Sequence, residues 1–188
     1  MFGIYILLAF ELFFSSNIIA QAPYLKLSTG LSQLRSEYKG KYEYGLVYGM
    51  GLGLRTQHKM INYGGDIGFR TTRGNIKEIN KNISITLFQL SVGPEINVQN
   101  KFTFRMALIM AYVATRKYRI QTPQYNFDFN LFDYSYTMSI YKNVLKLKKY
   151  NFDLEFYYLR SFEDITDNNF LQNDNLKISN VGIGVIIH

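Results

Sequence analysis

YGLVYGMGLGLR, residues 44–55, is the stretch on which the fold turns. Tyr44, Leu46, Tyr48, Met50, Leu52 and Leu54 take every second position; Gly45, Val47, Gly49, Gly51, Gly53 and Arg55 lie between them. Side chains of an extended chain point alternately to opposite faces, so a period of two writes one oily face and one small face on a β-strand. A helix is excluded on energy as well as pattern, because each interior glycine costs a helix about 1 kcal/mol relative to alanine.

The same period extends outward from that strand in both directions. Leu25, Leu27, Thr29 and Leu31 oppose Lys26, Ser28, Gly30 and Ser32, and Ile61, Tyr63, Gly65, Ile67 and Phe69 oppose Asn62, Gly64, Asp66, Gly68 and Arg70. Phe102, Phe104, Met106, Leu108, Met110 and Tyr112 oppose Thr103, Arg105, Ala107, Ile109 and Ala111. Tyr134, Tyr136, Met138 and Ile140 oppose Asp133, Ser135, Thr137 and Ser139; Phe152, Leu154, Phe156 and Tyr158 oppose Asp153, Glu155 and Tyr157; Val181, Ile183, Val185 and Ile187 oppose Asn180, Gly182 and Gly184. Ile83 to Val98 is oily on both faces from Leu87 to Val92 and holds Pro94, so its register is open and a bulge or bend is expected there. The strands number about eight, the smallest usual membrane barrel.

Connections alternate in length. The links 34–42, 72–82, 116–130 and 162–175 are long, whereas 56–60, 99–101 and 142–149 are shorter, as in barrels with long loops at one end and short turns at the other.

The 188 residues are 47% hydrophobic and 19% charged, with 16 Tyr and 15 Phe, yet the uncharged windows in the body are strand-length. None approaches the ~18 residues of a spanning helix, which excludes a helical multi-span protein. A soluble barrel needs its polar face clothed in long charged side chains; here that face is mostly Gly, Ser, Thr and Ala with single charges, which suits a crowded lumen. The expected fold is therefore all-β: a transmembrane antiparallel up-and-down barrel with its oily face outward and aromatic girdles near the strand ends. Lys26, Arg55, Asp66, Arg70, Arg105, Asp153 and Glu155 then fall in the lumen, where desolvation demands partners, and a cross-strand charge network is expected.

Residues 1–20 follow another rule. MFGIYILLAFELFF is almost wholly apolar and leads through Ser15, Ser16 and Asn17 to Ala20, the outline of a secretory signal peptide cut after Ala20. The division is 1–20 signal peptide and 21–188 barrel domain.

YLKLSTGLS from Tyr24, GLVYGMGLGL from Gly45, SVGPEINV before KFTFRMAL, FDYSYTMSIY from Phe132 and DLEFYYLRSFEDI from Asp153 carry a resemblance. The chain resembles the small outer-membrane β-barrel proteins of the porin family and PorT-like type, over Tyr24 to the C-terminus. That resemblance implies the bacterial outer membrane, contact with its lipids and lipopolysaccharide, and a place among envelope or secretion proteins; it implies no catalytic residue. Such barrels usually end in an aromatic residue, whereas this chain ends Val185, Ile186, Ile187, His188.

The search for chemistry returns little. The absence of Cys removes disulfides, thiolate chemistry, Cys-ligated zinc and iron–sulfur clusters. His58 and His188 are read as solvated or interfacial, and Asp128, Asp133, Asp164, Asp167 and Asp174 as loop carboxylates rather than an acid–base pair. DITDNNFLQNDN from Asp164 lacks the spacing and glycine of a calcium loop, and GMGLG from Gly49 opens no helix. RKYRIQTPQY, 116–125, reads as an interfacial girdle or a lipopolysaccharide phosphate contact. The net charge of +7 is scattered apart from Lys142 to Lys149, so no nucleic-acid partner is expected. No cofactor and no enzyme activity are expected. The expected role is structural, adhesive or in the envelope, with a secretion-system barrel or a narrow channel for small solutes as alternatives.

Overall fold

The computed structural model describes residues 21–36, 42–56, 61–76, 81–98, 101–118, 131–162 and 176–188. The expected signal peptide, His58, Asp128, Asp164, Asp167, Asp174, residues 119–125 of the basic–aromatic segment and the 164–175 run lie outside the described residues.

The strands are β1 (Gln21–Ser36), β2 (Tyr42–Thr56), β3 (Ile61–Ile76), β4 (Lys81–Val98), β5 (Phe102–Tyr118), β6 (Phe132–Leu147), β7 (Tyr150–Ser161) and β8 (Leu176–Ile187). Each pairs antiparallel with its neighbour in sequence, and β8 returns to β1, with Leu25 opposite Ile187 and Leu31 opposite Val181. Closure leaves the barrel wall without a free edge, so backbone polar groups are paired around the ring. Among the described residues no helix is long and apolar enough to cross a membrane.

The alternation read from YGLVYGMGLGLR holds in three dimensions and is inside out. Met50 is 59% exposed and Leu52 63% exposed, while Val47 on the opposite face is 1% exposed. Phe69, Phe88, Tyr112 and Phe132 sit opposite one another in register on consecutive strands and form an aromatic row on the outer wall, with Phe69–Phe88 centroids 5.3 Å apart and Tyr112–Phe132 5.7 Å.

Three details differ from the sequence pattern. In β4, Ser91, Gly93 and Glu95 turn inward and Val92, Pro94 and Ile96 outward; the irregularity expected there lies across the ladder, where Thr86 pairs Thr115 and Leu87 pairs Val113, leaving Ala114 of β5 extra. The strands also run past the expected starts of the first two long links, β1 to Ser36 and β3 to Ile76, because pairing continues beyond the oily belt. The expected connection at 142–149 is mostly strand: β6 continues to Leu147, and the turn is Lys148 and Lys149, with Lys148 at a φ of 50°.

Gln21, Thr56, Ile61, Val98, Phe102, Leu147, Tyr150 and His188 lie at one end of the barrel, here called the turn end; Ser36, Tyr42, Ile76, Lys81, Tyr118, Phe132, Ser161 and Leu176 lie at the other, the loop end.

Candidate functional site

The lumen is the only chemically rich interior among the described residues, and its walls explain how large polar side chains fit. A Cβ on Gly53 would meet the Tyr24 ring, and one on Gly64 would meet the Glu95 carboxylate. Small residues on one wall are thus the seats of large ones projecting from another.

Arg105 of β5 sits at the centre of the turn-end half. It is 2% exposed. Its Nη2 lies 2.9 Å from Asp66 Oδ2 and donates to Ser91 Oγ at 2.9 Å, its Nη1 donates to the Tyr24 hydroxyl at 3.2 Å, and its Nε is 3.7 Å from Glu95 Oε1. Asp66 also accepts from Ser91 Oγ at 2.7 Å and from Tyr24 at 3.1 Å. Glu95 accepts from the Tyr141 hydroxyl at 2.6 Å and pairs with Arg55. The Arg55 guanidinium lies between two aromatic rings, 5.4 Å from the centre of Tyr24 and 4.8 Å from that of Tyr141. A guanidinium satisfies carboxylates with a fork of donors and stacks on rings at once, which is why Arg rather than Lys holds both positions.

Two further groups complete this half. Lys26 Nζ is 2.8 Å from Glu155 Oε1, with the Tyr157 ring 5.7 Å away. Asp153 is 2.6 Å from His188 Nε2, accepts from Asn143 Nδ2 at 2.9 Å and stands 3.9 Å from Arg55 Nη1. Charges so buried are tolerable only when each finds an opposite partner and hydrogen bonds.

Arg70 is separate from this group. Although it shares a face with Asp66, its Nη2 reaches Asp133 Oδ2 at 3.2 Å, nearer the loop end. The structure thus brings Lys26 to Glu155, Arg105 to Asp66 and Arg55 to Asp153, and gives Arg70 a partner of its own.

Several participants were not singled out from the sequence. Glu95 lies in the run whose register was open, although Ser91, Gly93, Glu95 and Asn97 form the period-two signal that would have found it. Tyr24 and Tyr141 project inward through their parity with Lys26 and Ser139. Asp133, which the alternation sets on the polar face of its strand but which is also read among the loop carboxylates, is a buried lumen residue at 2% exposure, because β6 has begun by Phe132. His188, read as solvated or interfacial, has a side chain only 15% exposed and held by Asp153. Among the described residues no group of three or more His, Cys, Asp or Glu is arranged to hold a metal ion.

No protein-family model matches the chain, and no curated protein sequence matches it. Solved structures do resemble it. The fold is that of Neisserial surface protein A, with 8% identity, a TM-score of 0.55, and coverage of 89% of this chain and 98% of that one. Ail of Yersinia pestis, solved with the heparin analogue sucrose octasulfate, shares 13% identity at a TM-score of 0.48, covering 88% of this chain and 97% of its own. The outer membrane protein OprG from Pseudomonas aeruginosa shares 10% identity at a TM-score of 0.39, covering 89% and 97%. At such identities the likeness is one of fold: a closed eight-stranded antiparallel barrel of the kind found among outer-membrane proteins.

Proposed function

We infer that the protein is an integral barrel of the bacterial outer membrane with a side-chain-filled lumen, serving a structural, envelope or adhesion role rather than a catalytic one. The observation that carries this reading is the inside-out distribution of polarity. Leu46, Met50, Leu52, Met106 and Leu108 are more than half exposed on the outer wall, while Asp66, Glu95, Arg105 and Glu155 are buried within. In water such a wall would be an aggregation surface, whereas in hydrocarbon it is the required one. Export by way of a signal peptide at 1–20 and contact with outer-membrane lipids and lipopolysaccharide belong to the same reading, as does membership of the porin and PorT-like group.

The lumen charges Lys26, Arg55, Asp66, Arg105, Asp153 and Glu155 close the turn-end half, and Arg70 with Asp133 braces the wall above them. This supports a sealed barrel over the narrow channel, since eight strands leave an interior only wide enough for side chains and here those side chains are tied together. A secretion-system role would add protein partners at the rims and leave the lumen closed.

Heat-modifiable gel migration in detergent tests the barrel: the unheated protein is expected to run differently from the boiled one, and identical migration would refute the reading. Planar-bilayer recording tests the seal, with steady single-channel conductance as the result that would overturn it.

A further inference from the structure

Beyond Tyr141, β6 leaves the barrel wall. Its last register partner in β5 is Thr103, opposite Tyr141, so Lys142 to Leu147 have β7 on one side and no described strand on the other. Asn143 pairs Asp153 and Leu145 pairs Phe152, so Val144 is an extra residue, and a one-residue insertion swaps the two faces of every residue after it. In an unbroken ladder Val144 would pair Phe152, and Leu145 and Leu147 would point to the lumen side with Asn143; with Val144 bulged out they share the outward face with their partners Phe152 and Tyr150.

The hairpin is consequently oily and basic together. Val144 is 57% exposed, Leu147 51% and Tyr150 59%. Lys142, Lys146, Lys148 and Lys149 are all exposed, Lys142 Nζ lies 5.3 Å from the Phe102 ring centre, and Lys101 is exposed at the neighbouring turn. No side-chain carboxylate offsets them on the described outer surface, because Asp66, Glu95, Asp133, Asp153 and Glu155, the acids whose side chains are described, are all buried in the lumen.

We propose that the β6–β7 hairpin is a binding site for anionic phospholipid. Leu145, Leu147, Tyr150 and Phe152 extend the outer apolar belt into the acyl–headgroup boundary of the leaflet at the turn end, Lys142, Lys148 and Lys149 neutralise the headgroup phosphates around it, and Lys146, exposed on the other face of the protruding hairpin opposite Asn151, adds its charge beside them. Lipid is the occupant because Phe152 and Tyr150 carry the lipid-facing side of β7 on to the turn, with Leu145 and Leu147 beside them, and the uncompensated charge is positive, the combination that reads anionic bilayer surfaces. An added protein strand on the open β6 edge is disfavoured by the same lysines, which guard edges against pairing.

This proposal rests on the membrane-barrel reading, and the test separates the two. The full chain in detergent is offered equal phosphatidylglycerol and phosphatidylcholine, and retained lipid is read by native mass spectrometry. Phosphatidylglycerol is expected to be retained roughly tenfold over phosphatidylcholine, given the attraction of each lysine to an anionic surface. The preference is expected to fall to within about twofold in K142Q/K146Q/K148Q/K149Q and with added salt, and to persist in R73Q/R160Q, which removes exposed arginines nearer the loop end. A wild-type preference that is absent, or unchanged in the lysine variant, or lost equally in the arginine variant, overturns the site. Heat-modifiable migration is run alongside. A wild type that shifts but shows no preference refutes the lipid site alone, and a wild type that does not shift refutes the barrel. If the fourfold variant fails to shift, K142Q/K146Q and K148Q/K149Q are read separately, each expected to lose part of the preference and each overturning the site if neither does.

Discussion

The two halves of the lumen are filled by opposite means. Toward the turn end, Arg105, Asp66, Glu95, Arg55, Tyr24 and Tyr141 touch one another in a connected set of ion pairs and hydrogen bonds. Toward the loop end, Ile85, Leu87, Ile109, Val113, Leu159 and Ile178 fill the tube, interspersed with Ser32, Thr72, Ser135, Ser161 and Asn180, whose side-chain polar atoms have no hydrogen-bond partner among the described residues. A linked charge set is intolerant, because removing any member strands another charge out of water. An aliphatic filling accepts exchanges that keep volume. Both halves occupy the same narrow tube, yet they should respond differently to the same kind of substitution.

The sharpest break of that comparison is Arg105→Met. It keeps most of the side chain's length while leaving Asp66 and Glu95 buried without their shared cation, and is expected to cost about 3–5 kcal/mol. Equilibrium urea unfolding in lipid vesicles, followed by the heat-modifiable band, measures it. A loss below about 1 kcal/mol would mean that the turn-end set is not cooperative.

A double-mutant cycle on Arg70 and Asp133 sharpens the boundary between the halves. This pair is isolated from the larger set, with Arg70 Nε and Nη1 and Asp133 Oδ1 lacking hydrogen-bond partners among the described residues. Arg70→Met and Asp133→Leu are each expected to cost about 2–4 kcal/mol, and the double variant no more than about 1 kcal/mol, since replacing both charges removes the desolvation along with the attraction. Additive losses in the same unfolding assay would place Arg70 in a wider network.

The difference between the halves also explains how far the sequence could be read. Strands such as Tyr42–Thr56 and Phe102–Tyr118 announced themselves because one face carries Gly, Ala or a lone charge and the other Leu, Met and Phe. Lys26, Arg55, Asp66, Arg105, Asp153 and Glu155 followed from parity within each strand. The run 83–98 resisted because its inward residues at the loop end, Ile85 and Leu87, are as oily as the outward Phe88, so an aliphatic lumen erases the contrast that distinguishes in from out. Which lumen residue meets which was beyond the pattern altogether. That Arg105 meets Asp66 and Tyr24, or Arg70 meets Asp133, depends on the stagger set by closing β8 onto β1, a property of the whole ring rather than of any strand.

The smallest expected effect tests the loop-end half by its most exacting polar residue. Asn180 is 1% exposed, stands in register between Ser32 of β1 and Leu159 of β7, and neither its Oδ1 nor its Nδ2 has a hydrogen-bond partner among the described residues. A buried amide without protein partners gains little from its polarity and bears a desolvation penalty of about 1–3 kcal/mol, which ordered water would only partly offset. Leucine repeats asparagine's fork at Cγ, with two methyls in place of the amide oxygen and nitrogen, and has Leu159 beside it in register, so Asn180→Leu is expected to change stability by less than about 1 kcal/mol, the loss of the desolvation penalty offsetting the tighter fit of the methyls. The same exchange of polar for apolar at Arg105 is expected to be severalfold more costly. If Asn180→Leu instead destabilised the barrel by 2 kcal/mol or more, the loop-end half would be as strictly specified as the turn end, and its serines and threonine would have to be read as a second connected set.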